Sequence, residues 1–172
     1  MAELEAFVKF SGIDGSYTEK DFPEKDDLVK CSRLFSFGYD LTRKKSENNL
    51  CAYGEFTLKK RMDAATQRLY KTYFDQNFAR NEEGKQIKEV VPVPKVVISV
   101  FRGQFIITDE SKANVKERSL RYELTNCFIL SMSSSVGGDG GHSDDITLSF
   151  ETMDMIFYPN KITQSDKQKK KA

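Results

Sequence analysis

RSLRYELTNCFILSMSSSVGGDGGHSDDITLSFETMDMIFYP, Arg118–Pro159, holds the clearest strand pattern in the sequence. In its first part Leu120, Tyr122, Leu124, Phe128, Leu130 and Met132 fall on one face, interrupted only at Asn126. Arg121, Glu123, Thr125 and Ser131 fall on the other. A period of two marks a half-buried strand, because successive side chains leave opposite faces of the pleat. Past the glycines, Ile146, Leu148 and Phe150 share one phase, and Met153, Met155 and Phe157 share the opposite one. A one-residue slip near Glu151–Thr152 suits a β-bulge or a strand that bends from one sheet face to another. Long strands that change facing are what a small closed barrel needs at its corners.

Working outward, Val29–Leu41 reads as a second long strand, with Val29, Cys31, Phe35, Phe37, Tyr39 and Leu41 in phase. Leu4–Phe10, Tyr53–Lys60 and Lys95–Phe101 read as shorter ones, and Gln104–Thr108 fits a short extra strand. In Met62–Phe74 the apolar residues Met62, Ala65, Leu69, Tyr70 and Tyr73 recur at helical spacing. Asp63 suits the N-cap or first turn. This helix either plugs one end or side of a barrel or lies on its surface; sequence does not separate the two. Polar composition predicts loops at Gly12–Asp27, Thr42–Asn49 and Asp75–Pro94. The expected fold is mainly β: a small closed or nearly closed antiparallel β-barrel with one flanking α-helix. It forms a single domain over 1–160, followed by a lysine-rich, disordered tail over 161–172.

The 172 residues suffice for one domain with a sizeable core. A net charge of +1 gives no global electrostatic pull toward nucleic acid or membrane. The opening MAELEAFVKF carries acids and no long apolar run, unlike a Sec signal peptide. No stretch is long and apolar enough to predict a membrane-spanning helix. Cys31, Cys51 and Cys127 lack zinc-ligand spacing and read as buried small hydrophobes.

Chemistry-bearing motifs are scarce. Ser135–Asp145, SVGGDGGHSDD, has glycines that could cradle a phosphate, but lacks the GK[ST] ending of a P-loop. His142, the only histidine, stands near Asp139, Asp144 and Asp145, yet so glycine-rich a run does not promise converging metal ligands. There is no nucleophile elbow and no HExxH. No catalytic, cofactor-binding or metal-binding residue is therefore expected, and no enzyme activity.

Arg118–Pro159 also resembles the C-terminal half of the haemolysin-coregulated protein (Hcp) family. There a long strand ending in serines leads to a glycine-rich loop, and an ITLSF-like strand runs into an alternating apolar segment, a Tyr and a Pro. AFVKFSGIDGSYTEKD resembles that family's opening strand and turn, LVKCSRLFSFGYDL its second long strand, and EFTLKKRMDAATQRLYKTYF its strand and helix. The likeness covers most of Leu4–Pro159 in order. The sequence departs from the pattern in a longer Asp75–Pro94 link, an expanded Phe101–Glu117 segment, FSFGY in place of an SWSWG-like stretch, and a lysine tail after Pro159.

The resemblance implies a non-enzymatic subunit of the type VI secretion tube. Such subunits form homohexameric rings that stack, meet sheath, baseplate and spike proteins, and hold effector proteins in the lumen. It implies no nucleic-acid partner, no membrane insertion and no cofactor. It also implies a bacterial cytoplasmic protein that is secreted on firing without a Sec signal. Thr42, Arg43, Lys44, Lys45, Ser46, Glu47, Asn48 and Asn49 would correspond to the extended loop that packs on a neighbouring subunit or ring. The rivals are a monomeric ligand- or carbohydrate-binding β-barrel, which needs a lined cavity, and a hydrolase using acids gathered in space.

Overall fold

The computed structural model describes residues 4–17, 28–46, 49–78, 83–85, 89–104, 115–139 and 141–158. Among them run β1 (Leu4–Phe10), β2 (Ser32–Ser46), β3 (Asn49–Arg61), α1 (Ala64–Asn77), β4 (Val93–Gln104), β5 (Val115–Val136), β6 (His142–Ser149) and β7 (Thr152–Phe157). Every pairing is antiparallel. The ladder passes β4–β1–β2–β3–β6–β5 and returns through a β4–β5 pairing, so six strands form a closed hydrogen-bonded ring. β7 continues beyond β6 along β5 and pairs with no other described strand.

The ring is filled from inside by Val8, Phe10, Phe56, Leu58, Ile98, Leu124, Ile129, Ile146 and Leu148, none more than 2% exposed. Each such side chain contributes roughly 1.5–3 kcal/mol on leaving water. A second cluster lies on the opposite face of β1 and β4, where Phe7 and Phe101 pack with Leu28 and Cys31. Phe7 stacks on Tyr17 at 4.7 Å, and the Arg118 guanidinium lies 5.3 Å from the Phe101 ring. β1 and β4 are thus buried on both faces rather than one. That explains the near-continuous apolar run VVISVF at Val96–Phe101.

The phase slip expected between Phe150 and Met153 is present, and β5 shares it. Thr125 pairs with Thr152 and Phe128 with Ser149, so register is the same on both sides of the break. Between these pairs Asn126 adopts φ +49, a left-handed conformation that Asn tolerates better than most residues. Its side-chain amide donates to Glu151, in the break between β6 and β7. Facing changes at this level: Leu124 points into the core before it, and Cys127 and Ile129 do so after it. The single apolar face read for β5 is corrected accordingly. Leu130 is the extra residue of a bulge and is 37% exposed, and beyond it Met132 returns to the core. A bulge in β2 likewise leaves Phe35 outside, while Leu34 takes the inner position.

The helix begins two residues later than expected and runs three further. Asp63 is its N-cap: the carboxylate accepts from the Ala65 amide at 3.1 Å, and the Asp63 amide donates to Thr66 Oγ1 at 3.1 Å. Ala65 and Leu69 are buried in the ring's core. At its other end the helix lies against the side of β5 where β4 has stopped pairing. The Thr42–Asn49 loop is also corrected. Thr42–Ser46 belong to β2, Asn49 opens β3, and only Glu47 and Asn48 lie outside the described residues. The extra strand at Gln104–Thr108 and the tail fall almost wholly outside the described residues.

Candidate functional site: an open arm on a buried polar anchor

β2 pairs with β1 only from Ser32 to Leu34, and β3 meets β6 only from Glu55 to Arg61. Beyond these limits, among the described residues, the two strands pair only with each other. Thr42 pairs with Tyr53, Arg43 with Ala52, Lys44 with Cys51, Lys45 with Leu50 and Ser46 with Asn49. The sequence-derived site therefore becomes the far end of a two-stranded arm. A lone two-stranded ribbon is marginal in water and carries open backbone edges that pair readily with another chain. Its run of Arg43, Lys44 and Lys45 is the kind of charge that guards such edges.

Aromatic rings brace the arm where it leaves the ring. Phe37 and Tyr39 stack on Phe56 at 5.8 and 5.5 Å, and Tyr122 stands edge-on to all three at 5.6–5.7 Å. Burial first, and then Tyr39 beside it, push the Tyr122 phenol above its ordinary value. Phe150 lies directly over Gly54, where a Cβ would sit 2.4 Å from the ring. Only glycine lets the ring approach the backbone so closely.

The arm's root is held by charge. Lys60, fully buried on β3, faces Asp144, fully buried on β6, with Nζ 2.9 Å from Oδ2. The same ammonium lies 2.9 Å from Asp63 Oδ1, 2.9 Å from the Arg61 carbonyl and 3.2 Å from Thr66 Oγ1. Asp144 also accepts from Thr66 at 2.5 Å and Ser134 at 2.7 Å, and Ser134 shares a 2.8 Å hydrogen bond with Tyr70. From outside, the Ser16 amide reaches Asp63 and the Ser16 hydroxyl accepts from the Ala64 amide. Burial alone would raise the Asp144 carboxyl; donors Thr66, Ser134 and Lys60, with the lysine's charge, outweigh it and hold the pKa below normal. β3, β5, β6, the helix start and the segment after β1 are joined here through side chains.

Sequence reading missed this anchor. The available signal was phase: Lys60 continues the inward set Phe56, Leu58, and Asp144 precedes Ile146, Leu148 on the same face. Three of the four residues weighed as a metal site diverge. Asp144 points inward, whereas Asp145 is exposed and Asp139 accepts from the Gly141 amide in the β5–β6 connection. Among the described residues no group of three or more His, Cys, Asp and Glu side chains could hold a metal ion. Cys31 and Cys127 are buried thiols, and burial pushes Cys127 up to about 12. No helix among the described residues is long and apolar enough to cross a membrane. Exposed apolar side chains gather on β7, at Met155, Ile156 and Phe157, and near the helix end, at Phe74 and Phe78.

The fold is shared with solved type VI secretion proteins. Hcp1 from Salmonella typhimurium matches with a TM-score of 0.60 at 16% identity, over 92% of this chain and 88% of that one. Hcp2 from the same organism matches with a TM-score of 0.54 at 16% identity, over 90% and 86%. A type VI secretion system effector from Yersinia pestis matches with a TM-score of 0.56 at 12% identity, over 88% and 87%. No curated protein matches by sequence. The sequence model of the family described as "Type VI secretion system effector, Hcp" matches residues 7–157. That is most of the 172 residues, and the chain belongs to the Hcp family of type VI secretion proteins.

Proposed function

We propose that this chain is a structural subunit of a type VI secretion tube. Its copies assemble into homohexameric rings that stack, and effector proteins occupy the lumen. The observation that carries this reading is the arm. A ribbon whose strands Thr42–Ser46 and Asn49–Tyr53 pair, among the described residues, only with each other, and which is rooted in a buried polar anchor, suits contact with a second copy better than a free existence in water. A ring is a head-to-tail arrangement in which each subunit offers two different patches. The arm and the exposed apolar strand β7 are two such patches. The arm's basic residues would set register between copies more than supply affinity. Sheath, baseplate and spike proteins are the further partners on this reading, with the protein cytoplasmic before firing and secreted afterwards.

The rival ligand-binding barrel needs an interior cavity. Here the interior is occupied by Phe56, Leu58, Leu124 and Leu148. The test is native mass measurement with negative-stain imaging of the intact chain and of a variant lacking Arg43–Leu50. The expected result is six-membered rings that stack in the intact chain and stack poorly in the variant, with the subunit still folded. A strict monomer at high concentration, or unaltered stacking in the variant, would count against the proposal.

A further inference from the structure

Two arginines stand side by side on the outer face of the ring. Leu34 and Lys60 form the last pair of the β2–β3 ladder, and Arg33 and Arg61 are the next residues along β2 and β3. Like charges brought near one another repel. Arg33 is balanced by Glu5 of β1, at 3.6 Å. Arg61 is exposed, and no described side chain pairs with it. Both arginines line an open cleft of about 500 Å³, together with Glu5, Phe35, Met62 and His142. The same two also line a second cleft of about 300 Å³ with Tyr17 and Asp63. Both arginines therefore border both hollows.

We propose that this cleft is an oxyanion-binding site whose occupant is an acidic segment of a partner protein, a carboxylate seated between Arg33 and Arg61. Three features support this assignment. Arg33 has Glu5 as its counter-ion, whereas no described side chain pairs with Arg61, so an anion would find that guanidinium open. Arg offers planar, forked donors suited to carboxylate geometry. The cleft is also much larger than a free ion needs, and Phe35, 57% exposed, presents an apolar shelf beside the charges. The ligand is thus an anion with an apolar neighbour, as in an Asp-Phe or Glu-Leu sequence. The site does not depend on ring assembly, since all its residues come from one copy.

The test uses the full chain and a fluorescently labelled peptide of alternating Asp and Phe, followed by polarisation, with a Lys/Phe peptide as control. Saturable binding of the acidic peptide alone is expected, weakening as salt rises. Arg61→Gln should lower affinity about tenfold or more, as expected when a charge-assisted hydrogen bond is lost. The same variant without peptide should melt at the wild-type temperature, because no described side chain pairs with Arg61; a merely structural arginine would lower it. Inorganic phosphate should compete. No binding by the wild type, undiminished binding by Arg61→Gln, or stabilisation by phosphate without peptide binding would each overturn the proposal.

Discussion

Lys60 and Asp144 face each other across the β3–β6 ladder with 2.9 Å between Nζ and Oδ2, and neither side chain touches solvent. Such a pair is costly to break, since the survivor stays charged in a dry site. Lys60→Met leaves Asp144 and Asp63 without their shared cation and should destabilise by about 3–5 kcal/mol. Asp144→Leu should cost less, because Asp63 still holds the ammonium at 2.9 Å. Lys60→Met combined with Asp144→Leu removes both charges and should recover much of the loss. Urea denaturation of the two single variants and the double variant measures this. Simple addition of the two single losses would show that the pair is not coupled.

The same pair fixes the response to acid. Asp144 sits below its ordinary value of 3.8, and Glu123, bonded by Lys95 and then Arg121, sits below its 4.5. A depressed carboxyl binds fewer protons folded than unfolded. Its stabilisation is full above the unfolded value and is lost as pH falls through the folded one. The urea midpoint should therefore be nearly level from neutral pH down to the ordinary carboxylate range, then drop steeply below it. In Lys60→Met the sign should reverse for Asp144. An unpaired buried carboxyl prefers its proton, so mild acid should raise that variant's midpoint. Parallel pH profiles for the two proteins would refute the linkage.

Why some of this was legible and some was not is a matter of range. The slip between Phe150 and Met153 is written in two apolar phases of adjacent residues, so sequence alone reveals it. The bulges at Phe35 and Leu130 are not, because each offers two equally apolar neighbours, Leu34 or Phe35 and Ile129 or Leu130. The facing strand chooses between them. Thr42–Asn49 reads as a loop because it lacks apolar residues, but an arm that leaves the core needs none. Lys60 and Asp144 each break an apolar phase in their own strand. Only the pairing of those strands shows that the two breaks answer each other.

The helix runs past its expected end because the amides of Gln76 and Asn77 find distant partners. Gln76 Oε1 accepts from the Ile129 amide at 2.8 Å, and its Nε2 donates to the Val91 and Cys127 carbonyls at 3.1 and 3.4 Å. Asn77 donates to the Ile129 carbonyl at 2.9 Å. β4 pairs with β5 no further than Cys127, so these side chains stand in for a missing strand. Gln76→Ala should cost about 1–3 kcal/mol through the backbone groups left unsatisfied. Hydrogen exchange should quicken first at Ile129. Glu in its place keeps an acceptor for the Ile129 amide but loses the donor, and should fall between Ala and wild type.

Gly54 and Phe150 make the most size-restricted contact at the base of the arm. A Cβ on Gly54 would stand 2.4 Å from the tip of the Phe150 ring and 3.0 Å from Leu41. Gly54→Ala must therefore tilt the ring away. Phe150 packs on the core and lies at the facing change between β6 and β7, so the ring cannot move freely. The substitution should cost about 1–3 kcal/mol, the usual penalty of overpacking. Gly54→Ala joined with Phe150→Leu shortens the obstructing side chain and should recover part of that loss. Thermal melts give the size of the effect, and native mass measurement shows whether assembly follows it. If the arm serves assembly, Gly54→Ala should reduce oligomer at protein concentrations where the subunit remains fully folded. An oligomer unchanged despite a shifted melt would separate the base of the arm from its tip. The bracing rings would then belong to subunit stability alone.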